Sequence, residues 1–161
     1  MWSTSHPLFK SSSTTSAISG NVDGEPGCNS EFLRRHARRL VRNGRDAQPS
    51  KALPVLRRII DTGVMPELSV TDLYAVRDTL QLKHVLHMLG RELGFAGREA
   101  CKHEIDRRGA EVLDRYRFEQ GQFGDFRQNW FSDEQTAREW QQQNGGYIVA
   151  YGKQAVAILA D

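Results

Sequence analysis

The stretch Leu80–Phe95, LQLKHVLHMLGRELGF, constrains the fold of this chain more than any other. Leu82, Val85, Leu86, Leu89 and Leu93 recur at steps of three and four residues, which places them on one face of an α-helix. Gly94 stands where a helix stops by turning left-handed, and Phe95 is placed to fold back on the apolar stripe. This is expected to be the central core helix, with the other segments packed around it.

The segments before it also read as helices. Asn29 or Ser30 caps a helix over about 31–44, with Leu33, Ala37, Leu40 and Val41 as its apolar stripe. Pro49-Ser50 opens a second, near 51–61, where Pro54 is tolerated at the first turn and Leu53, Leu56, Ile59 and Ile60 face inward. Ser69-x-x-Asp72 is a capping box, with Leu68 and Leu73 as its hydrophobic staple, for a short helix over 70–78. After Phe95, Gly97 interrupts the chain. A fifth helix follows over about 98–107 with Ala100, Cys101 and Ile105 inside, and residues 110–118 add a turn or two.

From Glu119 the pattern changes. FRQNWF, 126–131, alternates as a strand does, and Ser132-x-x-Gln135 is a capping box for a helix of about 133–143. YIVAY-GK-QAVAIL then reads as a two-residue hairpin with Gly152 in the position a type II′ turn requires. In that register Ala150, Ala155 and Ala157 share one sheet face, small enough to admit the 133–143 helix closely. Tyr147, Val149, Tyr151, Val156 and Ile158 share the other. The fold class is therefore α+β: a helical domain of about five helices over 29–118, then a small β-α-β-β unit over 119–161. Residues 1–28 are rich in Ser, Thr and Gly without a periodic apolar face and are expected to be a disordered tail. That tail has neither the basic start nor the apolar run of a secretory signal, and it lacks arginine, unlike a transit peptide. Its Ser-rich, acid-poor start is like the signals of secreted bacterial effectors, which is the alternative to residence in the cytoplasm.

Composition narrows function mainly by exclusion. No apolar run reaches the ~18–20 residues that span a bilayer, so no membrane partner is expected. Two cysteines, Cys28 and Cys101, are too few for a disulfide framework and read as reduced thiols of a cytoplasmic protein. The net charge of +2 conceals a basic block: residues 31–60 hold nine Lys/Arg against two acids, Glu31 and Asp46, a local balance of +7. Arg34, Arg35, Arg38, Arg39, Arg42, Arg45, Arg57 and Arg58 form the candidate binding face. The first helix sets one acid, Glu31, against five arginines, so intrahelical ion pairs do not account for them and an acidic protein surface or nucleic acid is the expected partner.

Catalytic and metal patterns are weak by comparison. His84 and His87 stand at i, i+3, with Cys101 and His103 on the following helix. Residues two apart on a helix diverge by about 200°, so Cys101 and His103 do not serve one ion together, and no metal site is expected. Neither a nucleophile elbow nor a phosphate loop is present, so no catalytic residue and no cofactor is expected. An enzyme built on Cys101/His103 or His84 is the alternative, as a secreted effector. Asp133 and Glu134 sit where carboxylates complement a helix dipole. A further alternative is strand addition through the hairpin 147–159, to a partner or to a second copy.

Two stretches carry a family resemblance. KHVLHMLGRELGFAGREACKHEI, 83–105, resembles the helical segment of bacterial proteins described as glyoxalase-related, in which an A-x-x-L-G-F-x-x-W run joins two helices. Gly94-Phe95 match, and Arg98 stands where that family has tryptophan. NWFSDEQTAREWQQQNGGYIVAYGKQ, 129–154, resembles the later part of small uncharacterised bacterial proteins with H-W-F … G-G-Y-L-L-P-Y. Here Asn129 replaces the histidine, and Val149-Ala150 replace Leu-Pro. The resemblance implies a bacterial source and carries over no catalytic residue. Glyoxalase chemistry needs a metal-binding βαβββ pair, which this chain has too few strands to build. The expected function is thus a non-enzymatic bacterial binding or regulatory module.

Overall fold

The computed structural model describes residues 28–159, which form an α+β fold of seven α-helices and a three-stranded antiparallel sheet. The expected tail, up to residue 27, lies outside the described residues. The described chain divides into two compact units, 28–113 and 114–159.

The first unit begins with α1 (Asn29–Gly44) and α2 (Pro49–Asp61). Asn29 is neither cap nor loop: its side-chain amide donates to the Ile105 and Arg108 carbonyls, both at 2.9 Å, from inside the first turn. Helix α2 starts two residues earlier than the sequence suggests, so Pro54 lies inside it rather than at its first turn. The N–H that Pro54 lacks would have bonded to Ser50, whose carbonyl sits on an exposed residue where water can serve it. The inner face of α2 is Ala52, Val55, Leu56 and Ile59, whereas Leu53 and Ile60 are half-buried at its margins.

Helix α3 (Val70–Ala75) is started by the expected capping box. The Asp72 N–H donates to Ser69 Oγ at 3.1 Å, the Ser69 N–H returns to Asp72 Oδ2 at 3.3 Å, and Leu73 is fully buried. A 3-10 turn, Arg77–Thr79, then leads to α4 (Leu82–Glu92). Its termination is the one read from the sequence. Gly94 has φ +90°, its N–H reaches the Arg91 carbonyl at 3.0 Å, and the Phe95 N–H reaches Gly90 at 2.9 Å. That pair of bonds is a Schellman motif. The buried stripe of α4 is rotated from expectation: Val85, Met88 and Leu89 are fully buried, while Leu82, Leu86 and Leu93 are half-buried. Helix α5 (Arg98–Glu104) follows, then 3-10 turns at Ile105–Arg107 and Ala110–Leu113. Gly90 and Gly97 bring α4 and the start of α5 together, since a Cβ on Gly90 would lie 2.8 Å from the Gly97 carbonyl oxygen.

The second unit is three layers deep. Helix α6 (Asp114–Glu119) belongs to it, so the compact units divide at 113/114, five residues before the sequence boundary. The reason is side-chain chemistry: Tyr147 donates to Asp114, Tyr151 donates to Glu119 at 3.1 Å, and Phe118 lies edge-on to Trp130 and Tyr151. Strands β1 (Arg127–Phe131), β2 (Tyr147–Tyr151) and β3 (Gln154–Leu159) form a sheet of order β1-β3-β2. Tyr151 pairs with Gln154 across Gly152-Lys153. Gly152 has φ +65° and no non-glycine residue among those described has a positive φ, which excludes type I′ and leaves the expected II′ turn.

One sheet face carries Val149, Val156 and Ile158 under Phe123, with Phe118, Phe126 and Tyr147 around them. On the other, Ala155 and Ala157 are fully buried and α7 (Glu134–Asn144) packs there through Ala137, with the Trp140 ring 5.5 Å from that of Phe131. Ala150 shares that face but is exposed. The cap of α7 is displaced by one residue: Asp133 rather than Ser132 accepts the Thr136 N–H, at 2.8 Å. A carboxylate is the stronger acceptor there, and Ser132 donates its hydroxyl to it at 2.9 Å.

Candidate functional site

The eight arginines read from the sequence do not share one environment. Arg34, Arg35, Arg38, Arg39 and Arg42 are exposed on α1, and Arg57 is exposed on α2. Two others are structural. Arg45 donates Nε to the Leu80 carbonyl at 2.8 Å, tying the end of α1 to the entry of α4. Arg58 grips Glu92 through two bonds of 2.9 Å, and the Glu92 side chain is only 6% exposed. Local charge counting cannot tell a solvated arginine from one with a partner dozens of residues away.

Two of the exposed arginines, Arg34 and Arg38, stand over a cavity of about 390 Å³ formed by α1, α4 and α5 with the turn after it. Its floor is Leu33, Leu82, Leu86, Cys101 and Ile105. Leu33, Cys101 and Ile105 are core residues at its base, whereas Leu82 and Leu86 are the half-buried side chains that give it apolar surface. Among the described residues five cations stand around the floor, Arg34, Arg38, Lys83, Arg98 and Lys102, and no acid lines it. Arg98 lies 3.3 Å from exposed Glu99, a solvent-facing pair of small energetic weight. Among the described residues the other four have no ion pair. Lys83, Arg98 and Lys102 were not among the sequence candidates because they are scattered rather than clustered. The available signal was the width of the α4 stripe: with Met88 as well as Leu82, Val85, Leu86, Leu89 and Leu93, the helix carries more apolar residues than its core contacts use.

The candidate nucleophile lies on this floor. Burial and, secondarily, the Asp106 charge hold the Cys101 thiol above its ordinary range, so it is not activated as a thiolate. His103 is exposed, while Cys101 is buried. His84 and His87 line a separate, shallower depression with Gly97 and Arg98. Each has its Nδ1 turned to the backbone, His84 accepting the Gln81 N–H at 3.0 Å and His87 that of Arg98 at 3.4 Å. Burial and then the neighbouring Lys83 charge push the His84 pKa down. Among the described residues, no three His, Cys, Asp or Glu side chains come together as a metal site. No described helix is long and apolar enough to cross a membrane.

The sheet limits strand addition. β3 is bonded on both sides, so among the described residues the outer edge of β2 is the hairpin's one edge without a neighbouring strand; the sheet's other such edge belongs to β1.

No family model matches the chain, and neither a curated protein nor a solved structure is found to be similar to it.

Proposed function

We propose that this chain is a non-enzymatic binding or regulatory module that holds an acidic partner against the exposed face of α1. One observation carries the reading: Arg34, Arg35, Arg38, Arg39 and Arg42 project from a single helix with no ion pair among the described residues. Like charges at i, i+4 repel, so such a face costs stability in isolation and is relieved when phosphates or carboxylates approach. Arg45 and Arg58 drop out of the binding set because their guanidinium groups are committed elsewhere. A bacterial source is part of the proposal and rests on the resemblance of residues 83–105 and 129–154. Residence in the cytoplasm rests on the two free thiols, Cys28 and Cys101.

The test is fluorescence anisotropy of the full chain against labelled polyglutamate and a labelled DNA duplex. Binding to at least one is expected to weaken steeply between roughly 50 and 200 mM salt, and to be lost when Arg34 and Arg38 are both changed to Glu. Affinity that ignores both salt and the double substitution would sink the proposal, as would no binding to either ligand.

A further inference from the structure

We infer that the acidic partner is a polypeptide, an amphipathic helix that seats an apolar side chain on Leu82 and Leu86 while its carboxylates meet the surrounding cations. This rests on the reading that α1 binds an acidic partner, and adds what kind of partner it is.

The argument starts from the cavity. Its volume of about 390 Å³ falls within the range of ordinary ligand pockets, and it holds one or two large side chains. Its apolar floor distinguishes among acidic partners. A nucleic-acid duplex presents phosphates to such a face and has no flexible apolar group to fill a leucine-lined hollow. Single strands are held by stacking bases on aromatic side chains, and no aromatic side chain among the described residues lines this cavity.

An acidic helix meets both demands. Apolar residues at i and i+3 or i+4 project together into a hollow, and glutamates on the flanking positions reach outward on either side. Here the cations are placed to receive them: Arg34 and Arg38 from α1, Lys83 from α4, and Arg98 and Lys102 from α5. With cations on three helices around one floor, acids on both sides of the anchor find an opposite charge. Covering the leucines also excludes water from the ion pairs beside them, which strengthens each.

The test compares three labelled ligands on the full chain. The first is a designed helix with leucine at i, i+3, i+4 and i+7 and glutamate elsewhere. The second keeps its glutamates but replaces each leucine with glutamine, and the third is a DNA duplex. The leucine peptide is expected to bind at least about tenfold more tightly than the glutamine peptide, the effect of a single well-filled apolar site. Leu86→Gln is expected to abolish that advantage, so that the variant binds the two peptides alike. Should Leu86→Gln fail to fold, Leu82→Gln carries the same comparison. Equal, salt-dependent affinity for the two peptides would overturn the inference and leave the electrostatic reading standing, and so would tightest binding to the duplex. If none of the three binds, both fall.

Discussion

Arg58 and Glu92 form a bidentate pair, Nε to Oε1 and Nη2 to Oε2 at 2.9 Å each, that fastens α2 to the last turn of α4. The carboxylate is almost wholly covered, at 6% exposure, and the guanidinium less so, at 23%. Breaking a pair of this kind strands the more buried partner, which is worse than never having had it.

Arg58→Ala is therefore expected to lower stability by about 2 kcal/mol, below the full cost of a buried pair because solvent reaches the arginine. Arg57→Ala, one residue away but exposed, is expected to change stability by no more than about 0.5 kcal/mol. Urea unfolding of the two variants checks this; equal losses would show that the pair holds nothing.

Gly90 is a point of close backbone approach in the first unit. An alanine there would bring its Cβ to 2.8 Å from the Gly97 carbonyl oxygen and 2.9 Å from its carbon. Both are backbone atoms, so relief requires the start of α5 to move. Although alanine is the better helix former, Gly90→Ala is expected to destabilise by about 1–3 kcal/mol. A raised melting temperature would contradict the close approach.

His84 gives the fold an acid-sensitive element. Burial, then Lys83, lowers its pKa from 6.5, and its Nδ1 must be unprotonated to accept the Gln81 N–H. The unfolded chain thus binds a proton at higher pH than the folded one, and stability falls as pH drops below about 6.5. Asp46, Asp72, Asp106 and Asp133 have pKa values lowered from 3.8, chiefly by hydrogen bonds, so their stabilisation is lost only in a separate window at more acidic pH. Melting temperature followed from pH 7 to 5 is expected to decline, with a shallower slope in His84→Gln. Identical slopes would remove His84 from the account.

The two thiols should differ in accessibility. Cys28 is exposed and Cys101 is buried, with its thiolate disfavoured by burial. A thiol-reactive dye at neutral pH is expected to label one cysteine promptly and the second only on the timescale of unfolding. Prompt labelling of both would mean that Cys101 is reachable through the cavity, against its burial at the base.

What the sequence determined alone was local. The Gly94-Phe95 stop, the Ser69/Asp72 capping box and the II′ turn at Gly152-Lys153 are closed by bonds between residues a few positions apart, and backbone stereochemistry allows few residues at such points. The division into a helical part and a β-α-β-β part was legible for the same reason, since hydrophobic period reports local geometry. Tertiary structure decided the rest. Asn29 reaches a carbonyl 76 residues away, and Arg58 a carboxylate 34 away, so neither role leaves a trace in neighbouring sequence. Leu82 and Leu86 looked like core by spacing as much as Val85 and Leu89 did, but the core took only the latter two of these, with Met88 beside them. A stripe's period fixes which residues share a helix face, whereas the shape of the facing helices fixes how much of that face they cover. The leucines left half-covered, ringed by cations from three helices, are what only the packed chain reveals.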